Sequence, residues 1–261
     1  MIYDLQKGSL LKRASAFLLD GILLVILVTG FAFAFSAILD YNRYRDIYSD
    51  GITRYSEEYN INFEDVVTEA QFNALTEEQK QNYEAAINAM NGDLEMLGAL
   101  NAIVKMILSI ASISFFLSFM VLEFILPLIL KNGQTVGKKI FGLGVMRTNG
   151  VKIRPISLFV RTFLGKYVVE TMIPVLVAMM IIFNAIGVMA SPGLFGPILV
   201  LLLLIAQIVL VATTKTKSMI HDIFSDCVVV DLGSQMIFDN EQAKIDYINK
   251  KAAEEAAVSP Y

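Results

Sequence analysis

The sequence predicts an all-α membrane protein: a four-transmembrane-helix bundle with both termini in the cytoplasm and a small cytoplasmic β-hairpin unit. Three observations carry that prediction. The 261 residues are 56% hydrophobic and 18% charged, with a mean hydropathy of +0.60, whereas a soluble domain sits near ~45–50% apolar and ~25% charged. The apolar residues gather into runs that, at ~1.5 Å per residue, are long enough to cross a ~30 Å hydrocarbon core. The charges, finally, are segregated between successive loops, the pattern that sets topology. The net charge of −4 therefore says little by itself.

Span one covers residues 14–39, ASAFLLDGILLVILVTGFAFAFSAIL, with Asp20 its only charge and Arg13 immediately before it. A carboxylate inside a span is costly and marks a functional site by default. Arg13, two helical turns back, lies on nearly the same face. The run is longer than the ~7–15 residues of a signal-peptide core and carries an acid, so it reads as a span.

The outer loop, 40–102, holds 13 acidic and four basic residues between Asp40 and Asn101, a net of −9. Thr76 followed by Gln79 has capping-box form, so TEEQKQNYEAAINAM reads as a helix that Asn91-Gly92 ends. The loop lacks EF-hand spacing. It reads as a solvated insertion, with a partner-binding cap as the alternative. Tyr41, Tyr44, Tyr48 and Tyr167 flank spans as an interfacial belt requires.

Span two, 103–130, carries Lys105 at its start and Glu123 near its end. The loop after it, 131–167, has eight Lys or Arg and no acid, a net of +8. The positive-inside rule places this loop in the cytoplasm. Four spans then put both termini there, in keeping with Lys7, Lys12, Lys215 and Lys217. Within the loop, Asn149-Gly150 between two short apolar-polar runs is a hairpin signal. GQTVGKK fails as a P-loop, because only three residues separate Gly133 from Gly137. A tight turn and two lysines at the lipid headgroups explain it more simply.

Spans three (168–190) and four (198–213) are separated by SPGLFGP, residues 191–197, whose prolines and glycines break a helix. Beyond them DCVVVD (226–231) is a short β-type run able to add a third strand to the hairpin. Residues 1–231 thus form the membrane domain. The tail, 232–261, reads as a surface helix from Asp239, its N-cap, to Val258. Cys227 is the only cysteine, which rules out an internal disulfide and metal-site spacing and leaves a small packed residue. His221 is the only histidine, and no triad or metal pattern surrounds it. His221-Asp222 reads as a structural pair, and no enzyme activity, cofactor or nucleic-acid partner is expected.

Arg13 entering span one, Asp20 within it, GQTVGKKIFGLGV after span two and the HD of KSMIHDIFSDCVVVD after the last span together resemble the RDD family of small integral membrane proteins. The resemblance covers about residues 9–231. The family is named for one arginine and two aspartates, which map to Arg13, Asp20 and Asp222. It implies a membrane protein for which transport is proposed, some members being linked with sodium/proton exchange. The chain departs from the family pattern in Phe224-Ser225-Asp226-Cys227, where a small-Gly-Thr run is usual, and in having more than the minimal three helices.

Depth follows from the residues alone. Asp20 lies ~10 Å along the helix from Arg13, and Glu123 lies ~12 Å before Lys131 on a helix of opposite direction, so the two carboxylates sit at similar depth. Glu170 follows Lys166 by four, a spacing suited to an ion pair. Gln207 returns toward the same side. Two readings stay open. Asp20, Glu123 and Glu170 are candidates for a proton or cation site, since neighbouring carboxylates in low dielectric can share a proton. Alternatively Arg13 and Lys131 neutralise Asp20 and Glu123, and Asp222 completes a structural or gating ion network. The functional expectation is a small transporter of monovalent cations such as Na⁺, or of H⁺, embedded in the lipid bilayer and assembled as a homo-oligomer. The alternative is a membrane scaffold or regulatory protein that binds partners through its outer loop and β unit.

Overall fold

In the computed structural model, which describes residues 6–66, 68–185 and 193–258, four helices are long and apolar enough to cross a bilayer. They are Leu10–Ile38, Leu94–Ile129, Pro155–Ala185 and Phe195–Thr213, spans one to four below. A two-stranded antiparallel sheet completes an all-α membrane protein of the class the sequence predicts. The chain divides into two compact units, Val25–Ser118 and, combined from both ends of the chain, Met1–Leu24 with Phe119–Tyr261.

Two span boundaries lie earlier than hydropathy places them. Span two begins at Leu94 because Asn91-Gly92 stays helical and only Asp93 interrupts; its carboxylate accepts from the backbone N–H groups of Glu95 and Met96, each at 3.0 Å, and restarts the helix at once. Span three begins at Pro155, a residue suited to a first helical turn. Residues 155–167, read as loop from their positive charge, are therefore helical. The end of span three at 186–190 and the start of the SPGLFGP break lie outside the described residues, and the chain is helical again from Phe195.

The 25–118 unit comprises parts of spans one and two and the helices between them. The helix expected from Thr76 forms as Glu77–Gly92, with its capping box, and a second box at Thr68 and Gln71 starts Glu69–Asn73. Tyr41–Glu58 is a helix that no strong cap or apolar run announced. Its Gly51 lies beneath Met96, and Arg54 and Tyr55 donate to Asp93 at 2.5 and 3.1 Å.

In the other unit, strand β1 (Leu143–Arg147) pairs antiparallel with β2 (Cys227–Asp231), Val145 opposite Val229. The strand expected at the edge is thus paired directly to β1. The return arm after Asn149-Gly150 makes only isolated bridges, Met146 with Lys152 and Val151 with Phe238, because Pro155 turns the chain into span three. The far edge of β2 is taken by the N-terminal segment: Gly8 donates to the Val229 carbonyl at 3.1 Å and Asp231 to the Gln6 carbonyl at 2.9 Å. Alternation sends Leu143, Val145, Cys227 and Val229 against Ala16 of span one, and Met146, Val228 and Val230 against Ile237. Cys227 is the small packed residue expected, buried beside Ala16, and burial pushes its thiol pKa up, away from reactivity.

The tail forms a helix, Glu241–Val258. Asn240, not Asp239, caps it, accepting from Ala243 at 2.8 Å, while Asp239 pairs with Lys152. Lys244 donates to the Asn149 carbonyl at 2.6 Å, fixing the helix to the β1 turn.

Candidate functional site

Two stretches of the spans abandon the α ladder for i→i+5 bonding, Val121–Ile125 in span two and Val160–Met172 in span three. Such π segments are mostly single turns and concentrate at functional sites; the second runs for 13 residues. In that ladder residues five apart become neighbours. Arg161, Lys166 and Glu170 therefore share a face that an α-helix would have split. That face meets the short helix Ile220–Phe224, which carries His221 and Asp222. Contact this close needs Gly165, since a Cβ there would lie 2.5 Å from the His221 Cβ.

Asp222 is the hub. Its side chain is wholly buried. Oδ1 accepts from Arg161 Nε and Nη2 at 2.9 and 2.6 Å. Oδ2 accepts from the Met219 N–H at 3.2 Å and faces Arg13 Nη2 at 3.4 Å. Burial alone would raise the carboxyl's pKa; the Arg161 guanidinium, with His221 and Arg13 behind it, outweighs that and holds it well below the usual carboxylate range. Arg13 also donates to the Lys217 carbonyl at 2.6 Å. The expected neutralisation of Asp20 by Arg13 is thus replaced by an Arg13–Asp222 pair.

Glu170 does not pair with Lys166 either. Both its oxygens face His221 Nδ1, at 2.9 and 2.8 Å, and Oε1 also accepts the His221 backbone N–H. Lys166 instead reaches across to Glu123 at 2.5 Å, and Thr162 donates to the Glu123 carbonyl at 2.9 Å. The two π segments are joined at this point, so Glu123 takes Lys166 in place of Lys131. Lys131 remains exposed in the left-handed turn after span two. From span four, Gln207 Oε1 accepts the Ile220 N–H at 3.2 Å, as its position relative to Lys215 suggested.

Asp20 is held by neither Arg13 nor another carboxylate. The loop after span two folds up against it. Thr135 Oγ1 donates to Oδ2 at 2.5 Å and the Gly137 N–H donates to Oδ1 at 2.7 Å, so Asp20 anchors the first turn of the helix Val136–Ile140. Gly137 packs directly on span one, where a Cβ would lie 2.2 Å from the Ala16 carbonyl oxygen. It serves contact; Gly133, at φ 58°, serves the turn. The two lysines of GQTVGKK part company as well. Lys139 is exposed, whereas Lys138 is 9% exposed and donates to Thr135 Oγ1 at 3.2 Å. Lys138 thus reaches Asp20 through the Thr135 hydroxyl, while Glu123 is held separately by Lys166. The charge-free stretch of span one beyond Asp20, residues 21–38, is still ~27 Å long.

Sequence reasoning missed Arg161, Thr135 and Lys138. Arg161 and Lys138 were two of eight positive charges in a segment read as loop, and single-sequence charge counts do not distinguish a buried cation from a headgroup contact. The available signal was Thr135 ahead of Val136–Ile140, an N-cap pattern that places the next turn against something.

Histidine gives this end of the protein a pH dependence. Burial lowers the His221 pKa, aided by Arg161 and Lys166 and opposed by Asp222 and Glu170. Its Nδ1 faces the Glu170 carboxylate and its Nε2 lies 3.4 Å from Asp222 Oδ1. Because the unfolded chain takes up a ring proton more readily, stability is lost as pH falls through the ordinary histidine value near ~6.5. Thermal unfolding of the purified protein between pH 7.5 and 5 should show this decline, and His221→Gln should flatten it.

Among known proteins, the model of the RDD family matches residues 7–226 of this chain. No curated protein and no solved structure matches it.

Proposed function

The chain belongs to the RDD family, and on that premise we propose that it carries monovalent cations or protons across the cell membrane, with both termini and the basic loop on the cytoplasmic side. One observation supports this most: carboxylates from different spans each face a buried group of a neighbouring segment, Asp20 through Thr135, which also accepts from the Lys138 ammonium, and Glu123 through Lys166. Intramembrane and interfacial carboxylates around an exchangeable positive charge are what a cation or proton carrier needs. The cluster lies at one end of the spans, suiting an inner gate. Four spans per chain are few for alternating access, so the carrier works as a homo-oligomer.

A second reading has its own support. Each acid of the cluster faces a cation or a bonded donor, Asp222 with Arg161, Glu123 with Lys166, Glu170 with His221 and Asp20 with Thr135 and Gly137. A static lock in a scaffold protein asks for the same closure. Sealed liposomes under an imposed Na⁺ or pH gradient separate the two. The carrier reading expects flux in the wild type and at least about a tenfold loss in Asp20→Asn, the change in charge being worth ~1.4 kcal/mol or more at the site. Absence of flux, or flux indifferent to Asp20→Asn in a protein that still melts normally, favours the scaffold. In that case deletion of residues 42–90 should abolish partner capture while leaving the rest folded.

A further inference from the structure

We propose that the start of span one and the turn after span four form a binding site for one anionic phospholipid, whose phosphate is held by Lys7, Lys215 and Lys217. The site is separate from the carboxylate cluster and stands whether the chain is a carrier or a scaffold.

The N-terminal segment is fastened to the backbone beyond span four at two points. Lys7 Nζ donates to the Lys215 carbonyl at 3.3 Å, and Arg13 Nη1 donates to the Lys217 carbonyl at 2.6 Å. Between those points the chain turns tightly. The Lys217 N–H donates to the Thr214 carbonyl at 3.0 Å, with Lys217 in the left-handed region at φ 49°. Lys7 is itself placed by its bridge to Val230 of β2. The Lys7 ammonium therefore lies against the turn from which the Lys215 and Lys217 side chains arise on their flexible stems.

The cations at this end divide by whether an acid holds them. Lys12 pairs with Asp231 at 2.5 Å, and Arg13 with Asp222 at 3.4 Å. Among the described residues, Lys7, Lys215 and Lys217 pair with no acid; the bond that Lys7 makes is to a carbonyl. Nor are the Lys215 and Lys217 ammoniums needed to close the turn, because Lys7 and Arg13 already take its carbonyls. Three positive charges rooted so close together repel one another until an anion comes between them. Thr216 and Ser218 add a neutral donor. Their hydroxyl oxygens lie 2.7 Å apart, so one hydrogen joins them and the other is available to a phosphate oxygen.

Position selects a lipid over a free anion. Lys7 precedes Leu10, the first residue of span one, by three residues, and Lys215 and Lys217 follow Thr213, the last of span four, by two and four. That is the level of the headgroups, where lysines attract anionic lipid. Farther along the same two spans, Leu11, Phe17 and Ile208 are exposed apolar side chains suited to acyl chains. One phospholipid satisfies both parts of this surface; free phosphate satisfies only the first.

The test uses the full chain in neutral detergent. Phosphatidylglycerol is the probe, phosphatidylcholine supplies a zwitterionic headgroup, and glycerol 3-phosphate supplies the phosphate without acyl chains. Thermal stabilisation should saturate with phosphatidylglycerol, and neither of the others should reproduce it at the same concentration. Lys215→Gln/Lys217→Gln keeps the backbone carbonyls that Lys7 and Arg13 use, and should raise the half-saturating phosphatidylglycerol concentration about thirtyfold. Lys131→Gln/Lys139→Gln removes the same charge from two exposed positions of the basic loop, and should change it by less than about threefold. Equal losses in the two double variants mean general attraction to a basic face and overturn the site. Equal stabilisation by phosphatidylcholine, or by glycerol 3-phosphate, overturns it too, the first by removing the role of charge and the second by removing the lipid. A measurement on the wild type covers the case of variants that do not fold. Extracted from membranes containing phosphatidylglycerol, the protein should retain one such lipid per chain in its native mass spectrum and release it in high salt. Retention with no preferred count, or indifferent to salt, overturns the proposal.

Discussion

Asp222→Asn is expected to destabilise the membrane unit more than any other single change of comparable size. The side chain keeps its shape but loses the charge that Arg161 and Arg13 approach from opposite oxygens. Both guanidiniums stay protonated and face each other with the Asp222 charge removed, and Arg161 is only 2% exposed. Breaking one partner of a buried ion pair costs about 3–5 kcal/mol. A loss of that size is a large share of the stability of most proteins. Thermal unfolding in detergent should show it as a large fall in melting temperature or as failure to accumulate. The double variant Asp222→Asn/Arg161→Met should recover part of the loss, because it removes the orphaned charge. An Asp222→Asn protein as stable as the wild type would mean that the hub is not the one drawn here.

Gly137→Val should be nearly as damaging for a different reason. Even the first added carbon would stand 2.2 Å from the Ala16 carbonyl oxygen, an atom of backbone that cannot swing away. The next neighbour is the Asp20 carboxylate at 2.9 Å. The loop helix must back off span one, which breaks the Gly137 N–H bond to Asp20 and loosens Thr135 and Lys138 with it. Overpacking of a tight contact costs about 1–3 kcal/mol, and the loss of a charged hydrogen bond adds about 1.5–3 more. Gly142→Ala is the control, since that position also has a left-handed backbone, at φ 67°, but an added Cβ would meet nothing within 4 Å. Protease nicking of the loop under native conditions should rise sharply in Gly137→Val and less in the control.

Much of this architecture was legible, and the reasons are physical. Four apolar runs announce four spans because no soluble fold needs such lengths, and Thr76 with Gln79 announces its helix because the capping box is a local bond pattern. Asp20, Glu123 and Glu170 were singled out because a charge in an apolar run must be accounted for, Arg13 because it enters span one ahead of Asp20, and Asp222 through the family resemblance. Their partners were not legible. Pairing by sequence neighbourhood joined Arg13 to Asp20 and Lys166 to Glu170, whereas the fold joins Arg13 to Asp222 and Lys166 to Glu123. The π ladder of Val160–Met172 is the cause in span three, for it changes which residues share a face, and no propensity marks it. Lys131 fails as a partner for the opposite reason: it is close in sequence but turned outward by a left-handed bend.

Arg13 and Asp222 stand 209 residues apart, and this separation bears on how the protein is made. At ~5–20 residues per second, span one leaves the ribosome roughly 10 to 40 seconds before its partner exists. Throughout that interval Arg13 and Asp20 lack their folded partners, with neither the loop helix nor the Ile220–Phe224 turn yet present. Residues 6–8, which close the edge of β2, wait longer still. Completion of the membrane unit therefore waits for residues 222–231, and a nascent chain truncated before residue 222 leaves a first span without its lock, open to quality control.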